Sequence, residues 1–165
     1  MAVVLLVQAF LVKPYRIPSE SMAATLVPSD RVLVDRLGYR WQEPRRGDVI
    51  VADSAAAKCV LIKRVIALPG ETVSIAHGSV FIDGRRLREP YVRMVTGKPE
   101  PTVPFEIARP WSLQHPYVVP ADYFFLMGDN RTVSADSREW GPVPRGEIIG
   151  EAFATYWPLT RARGL

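Results

Sequence analysis

Three stretches of this chain carry reactive side chains in settings that could expose them. In Ile17-Pro18-Ser19-Glu20-Ser21-Met22-Ala23-Ala24-Thr25-Leu26, two serines two apart in an extended segment point to the same side. One hydroxyl can attack a carbonyl while the other donates a hydrogen bond to the resulting oxyanion. Alone the pattern is weak, because serines beside a proline ordinarily serve turns and caps. In Leu61-Ile62-Lys63-Arg64-Val65-Ile66-Ala67-Leu68-Pro69-Gly70-Glu71, Lys63 interrupts an apolar strand and shares a face with Cys59, Leu61 and Val65. A lysine so placed either snorkels to solvent or loses its proton. Desolvation disfavours the ammonium, and the neutral amine is then a usable general base near neutral pH. The third stretch, Gly128 to Pro144, is dense in charges and hydroxyls and costly to order unless those groups bond one another. There Asp136 can hold Arg138 or Arg64, and Ser134 or Ser137 can engage an amine.

The elements that must position these groups read as strands. With 165 residues, 48% of them hydrophobic, the chain can bury one real core and is short for two. Fifteen prolines and eleven glycines, scattered along the sequence, exclude a helix bundle and suit strands joined by turns. Arg31 to Asp35 alternates, Val49 to Ala52 is a buried run, and Cys59 to Leu68 is the longest apolar stretch after the N-terminus. Pro28-Ser29-Asp30, Arg46-Gly47-Asp48 and Leu68-Pro69-Gly70-Glu71 punctuate them, so sequential antiparallel pairing is the economical topology. Val73-Ser74-Ile75 and Val80-Phe81-Ile82, with turns at His77-Gly78 and Asp83-Gly84, predict a three-stranded ribbon. Residues 93–122 carry Pro99, Pro101, Pro104, Pro110, Pro116 and Pro120, which predicts a loop-rich excursion. Regular structure resumes at Tyr123 to Met127 and closes with the runs Glu147 to Gly150 and Ala152 to Trp157.

Other function classes fall away on composition. The net charge of +4 comes from paired basic residues, Arg45-Arg46, Lys63-Arg64 and Arg85-Arg86, without the basic stripe or aromatic platform of a nucleic-acid binder. The single cysteine, Cys59, cannot form an internal disulfide and reads as a small buried hydrophobe. His77 and His115 lie far apart in loop sequence with no ligand-spaced partners, so neither a metal nor a histidine triad is expected. Residues 2–12, AVVLLVQAFLV, are apolar except for Gln8. As a helix they rise about 17 Å against a hydrocarbon core of about 30 Å. They read as the end of a membrane anchor, with a buried first strand as the alternative.

Taken together, the three stretches resemble the type I signal peptidases. That family's motifs are Ser-Met followed by x-Pro-Thr, Lys-Arg-Val-x-x-Leu-Pro-Gly, and Gly-Asp-Asn-Arg-x-x-Ser-x-Asp-Ser-Arg. This chain has Ser21-Met22, Lys63-Arg64-Val65 with Leu68-Pro69-Gly70, and Gly128 to Arg138 with both serines, in the same order. Gly47-Asp48-Val49-Ile50-Val51 matches a fourth motif between the first two. The resemblance implies an all-β catalytic core of coiled antiparallel sheets, of the type shared with repressor proteases. A smaller β-ribbon and loop subdomain, residues 72–122, would be inserted between residues 13–71 and 123–165.

The resemblance also implies Ser21 as nucleophile and Lys63 as its base, with no cofactor. Ser19 and the Ser21 N–H would serve the oxyanion, and Ser134 would orient the Lys63 amine. Asp136, Arg138 and Arg64 would form a supporting charge network. Ile17, Met22, Leu26, Leu61 and Ile62 would form an apolar pocket for a small substrate side chain. The implied substrates are secretory preproteins, cut after small residues at positions −1 and −3 on the outer face of the bacterial cytoplasmic membrane, with the lipid surface as a second partner. One departure is Ala24, where the family has proline. Two rivals are a self-cleaving repressor-type protease, whose DNA-binding domain and cleavable linker have no counterpart in this pattern, and an inactive preprotein-binding homologue, which only Ala24 favours.

Overall fold

The computed structural model describes residues 12–165, so the expected anchor segment, residues 1–12, lies outside the described residues apart from Val12. The first strands follow from alternation. In β2 (Arg31–Asp35) Val32 and Val34 are fully buried while Arg31 is exposed, and β1 (Val12–Arg16) pairs antiparallel with it from Val12↔Asp35 to Arg16↔Arg31. β3 (Val49–Ser54) and β4 (Cys59–Ala67) form a hairpin running from Val49↔Arg64 to Ser54↔Cys59. From Leu61 onward β4 is buried on both faces, which is why it reads as an unbroken apolar run rather than an alternating one. Ile62 joins a cluster with Ile17, Val49 and Val51, whereas Leu61 and Val65 join another with Ile50, Phe124 and Leu126.

A ribbon follows: β5 (Thr72–Ala76), β6 (Ser79–Ile82) and β7 (Arg85–Arg86). Its tight turns, His77-Gly78 and Asp83-Gly84, all have positive φ, the backbone that matches strand twist in two-residue hairpins. Next come a two-stranded hairpin, β8 (Met94–Val95) with β9 (Lys98–Pro99), and β10 (Tyr117–Val118), which pairs with β5 and completes a four-stranded sheet β10-β5-β6-β7. Val73 and Val80 of this sheet, with Val119 just after β10, bury against Ile66, Phe125 and Met127 of the main sheet, so one apolar cluster bridges the two.

The chain then returns through β11 (Tyr123–Met127), the single helical turn α1 (Ser137–Trp140), β12 (Val143–Pro144), β13 (Ile148–Trp157) and β14 (Arg163–Gly164). The main sheet has the order β1-β2-β13-β3-β4-β11-β12, with β14 added beside β13. Purely sequential pairing therefore fails at two places. β13 inserts between β2 and β3, and β11 comes from beyond the ribbon to pair with the second half of β4. The two closing runs expected from the sequence are one ten-residue strand whose register shifts mark bulges, and these let a single strand bend along several partners. The molecule is mostly β and antiparallel.

Candidate active site

Lys63 lies in the buried half of β4, opposite Ile50 of β3. Its amine is 2.7 Å from Ser21 Oγ, and both residues are at most 7% exposed. Burial pulls the Lys63 pKa below its ordinary value; the more distant carboxylates of Asp136 and Asp129 pull the other way without cancelling that effect. Among the described residues Ser21 is the only hydrogen-bond partner of the amine. A neutral lysine at this distance can take the serine proton.

Ser21 sits in a turn, not in the extended segment the sequence predicts. Ala23 N–H donates to Glu20 O (2.9 Å), and the Thr25 and Leu26 N–H groups both donate to Met22 O (3.0 and 2.8 Å). The two serines still converge, with Ser19 Oγ 3.3 Å from Ser21 Oγ, because the bend folds Ser19 back over the nucleophile. This turn corrects the expected pocket. Met22 and Leu26 are fully buried in the core cluster with Val32 and Val34 and line no cleft, since their side chains anchor the turn from below. Ala24, in the position of the family proline, has φ +85, a left-handed backbone that proline cannot adopt.

The Gly128–Arg138 stretch packs against this turn. Asn130 N–H donates to Ser21 O (3.1 Å) and its side-chain Nδ2 donates to Glu20 O (3.1 Å). A Cβ on Gly128 would collide with Ser21 O and Ser134 Oγ, so only glycine permits this approach. Asp136 holds Arg138 in a two-pronged pair, 2.8 Å on each oxygen, with both side chains out of solvent, and it also accepts from the Gly128 N–H. Arg64 does not join them. It makes its own two-pronged pair with Asp129 (2.8 and 2.6 Å), donates to Gly47 O and lies over the Tyr91 ring at 4.2 Å. Thr25 Oγ1 donates to the same Asp129 carboxylate at 2.5 Å, which ties β4, the nucleophile turn and the third motif together. Nothing in the sequence pattern singles out Asp129 or Thr25, although both fall inside the motifs that carry the resemblance. Charge pairing alone could not choose between Asp129 and Asp136 for Arg64.

Ser134 differs from expectation as well. It is buried beside Gly128, but its hydroxyl faces the Ala135 carbonyl at a long 3.4 Å and makes no hydrogen bond to Lys63. Cys59 is also a correction. It is exposed, because it opens β4 at the rim of the sheet before the core closes over the strand.

A cleft of about 780 Å³ runs over Ser21 and Lys63 and is walled by Tyr15, Ile17, Val51, Leu61, Ile62 and Trp140. Thus Ile17, Leu61 and Ile62 of the expected pocket do line it. On one edge β4 pairs with β3 throughout Cys59 to Arg64, but on the other it meets β11 only at Arg64, Val65 and Ala67. The other edge at Cys59 to Ile62 therefore borders the cleft without a strand partner among the described residues.

The profile of the family described as "Signal peptidase, peptidase S26" matches residues 1–157. The chain is 40% identical to a signal peptidase I of Leptolyngbya laminosa over 94% of this chain and 73% of that protein. It is 34% identical to signal peptidase I P of Bacillus subtilis subsp. natto over 97% of this chain and 85% of that protein. Among solved structures, a signal peptidase I from Enterococcus faecalis superposes with a TM-score of 0.56 at 33% identity, covering 67% of this chain and 97% of the other.

Proposed function

This chain belongs to the signal peptidase S26 family, which makes it a serine peptidase that removes signal peptides, and from that premise we propose that Ser21 and Lys63 are its catalytic dyad. The observation that carries the reading is the 2.7 Å contact between a desolvated amine and a buried serine hydroxyl. Ser21 Oγ attacks the scissile carbonyl as its proton passes to neutral Lys63 Nζ. The tetrahedral oxyanion receives hydrogen bonds from the Ser21 N–H and the Ser19 hydroxyl. Lys63 then protonates the departing amine, leaving an acyl ester on Ser21. A water molecule that gives its proton to Lys63 hydrolyses that ester and restores the enzyme.

The two buried ion pairs act at one remove. Asp136–Arg138 and Asp129–Arg64 saturate both carboxylates with guanidinium, so neither carboxylate sits in contact with Lys63 to hold it as an ammonium. The preprotein binds extended against the free edge of β4, and its small −1 and −3 side chains face Ile17 and Ile62. Ser134 supports the Gly128 approach rather than the amine. The substrates are secretory preproteins, and the site of action is the outer face of the bacterial cytoplasmic membrane. Incubating a preprotein with wild type, Ser21→Ala and Lys63→Ala tests the dyad. Loss of cleavage in both variants is expected, and cleavage by either at near wild-type rate would contradict it.

A further inference from the structure

The Ser21 N–H can serve an oxyanion only if it is aimed, and the aiming group lies one residue upstream. A trans peptide unit is planar, so its C=O and N–H point in opposite directions and fixing one fixes the other. The unit carrying the Ser21 N–H also carries the Glu20 carbonyl. Two donors hold that carbonyl: Ala23 N–H within the turn at 2.9 Å, and Asn130 Nδ2 from the Gly128–Arg138 stretch at 3.1 Å. The Ser21 N–H itself donates to no carbonyl or side chain among the described residues.

We propose that Asn130 is a positioning residue whose side-chain amide holds the Glu20–Ser21 peptide plane so that the Ser21 N–H faces the developing oxyanion; this rests on Ser21 as the nucleophile. Asn130 is fully buried, and of its two amide heavy atoms only Nδ2 is engaged, because Oδ1 has no partner among the described residues. The side chain therefore contributes one bond, and that bond goes to the peptide unit that matters. The backbone bond from Asn130 N–H to Ser21 O survives any substitution of the side chain, so the turn stays tethered while the plane above it is freed. Ala23 alone cannot replace the clamp, since it moves with the same turn. Misaiming a preorganised donor weakens transition-state binding and leaves ground-state binding intact.

The test compares wild type with Asn130→Ala using a peptide aldehyde, which forms a hemiacetal oxyanion on Ser21, and the corresponding peptide alcohol, which cannot. We expect kcat to fall about 10- to 100-fold with KM within about two-fold. Aldehyde affinity should fall in step with kcat, alcohol affinity should hold, and the pH at which the rate rises should not move. A parallel loss of aldehyde and alcohol affinity, or an unchanged kcat, would overturn the proposal. Asn130→Asp keeps the shape without the donor and must show the same split in kcat and aldehyde affinity. If neither variant folds, the residue is structural and the proposal fails. A fully active Ser21→Ala would instead refute the dyad itself, a separate outcome.

Discussion

At the residue scale the site turns on one costly group. Lys63 is 6% exposed, and burial is the main cause of its lowered pKa. Because the folded pKa lies below the unfolded value near 10.5, the unfolded chain binds more protons between the two, and stability rises with pH across that interval. Replacing the lysine by an isosteric apolar residue removes this penalty. Lys63→Met should raise the denaturation midpoint while abolishing cleavage, with the largest gain below the folded pKa and the smallest above pH 10.5; urea titrations at several pH values check this. Ser19 is the second residue with a separable role. Its hydroxyl lies 3.3 Å from Ser21 Oγ, near where an oxyanion would form. Ser19→Ala should lower turnover by on the order of 10²–10³ with little change in KM. Steady-state kinetics within a few-fold of wild type would remove it from the oxyanion site.

At the scale of elements, the nucleophile turn is where this chain departs from its family and where local geometry decides the outcome. The left-handed backbone at Ala24 costs an L-residue about 1–2 kcal/mol, and the site is exposed with room for change. Ala24→Gly should therefore stabilise by about 1 kcal/mol, read as a shift in the unfolding midpoint. Restoring the family residue should do the opposite. Ala24→Pro demands φ near −65° and would force the turn to rearrange, lowering both stability and turnover. The positive φ at Ala24 marks a turn that a proline could not enter. Elements were legible where periodicity was strong: β2, β3, β4 and the β5–β6 ribbon all fall on patterned runs. What pairs with what was less legible, because an apolar run such as β13 does not encode its neighbours. The turn of Ser19 to Thr25 is not legible in the sequence, because Met22 and Leu26, spaced for core burial, also lie beside Ser21 where a substrate pocket is expected. Ile17, Leu61 and Ile62 do face the cleft, and they could be anticipated from their adjacency to Ser21 and Lys63. The Asp129–Arg64 pair could not, since two aspartates in one loop offer the same charge.

At the scale of the whole molecule, the surface near the active-site turn is apolar and basic. Trp157 is 49% and Leu159 75% exposed, and β13 and β2 bring Trp157 beside Arg31, whose other neighbour is Arg16. Arg163 reaches the Thr25 carbonyl from the same end. An exposed tryptophan and leucine with arginines nearby suit a headgroup layer with anionic lipid. Among the described residues no helix is long and apolar enough to cross a membrane. The chain should float with anionic liposomes at low salt and sink as salt is raised, and recovery of all protein at the bottom of a low-salt gradient would contradict this. Arg16, which pairs with Arg31 at this surface, also lines the cleft, so adsorption there would bring the dyad near chains emerging at the membrane.

The central claim is that Lys63 acts as a neutral amine toward Ser21. The most direct measurement is the pH dependence of kcat/KM for preprotein cleavage by wild type, alongside Lys63→Arg. The rate should rise along a limb centred below the ordinary lysine value of 10.5, and Lys63→Arg should be inactive, since guanidinium holds its proton throughout. A limb that appears only near 10.5, or substantial turnover by Lys63→Arg, would contradict the account.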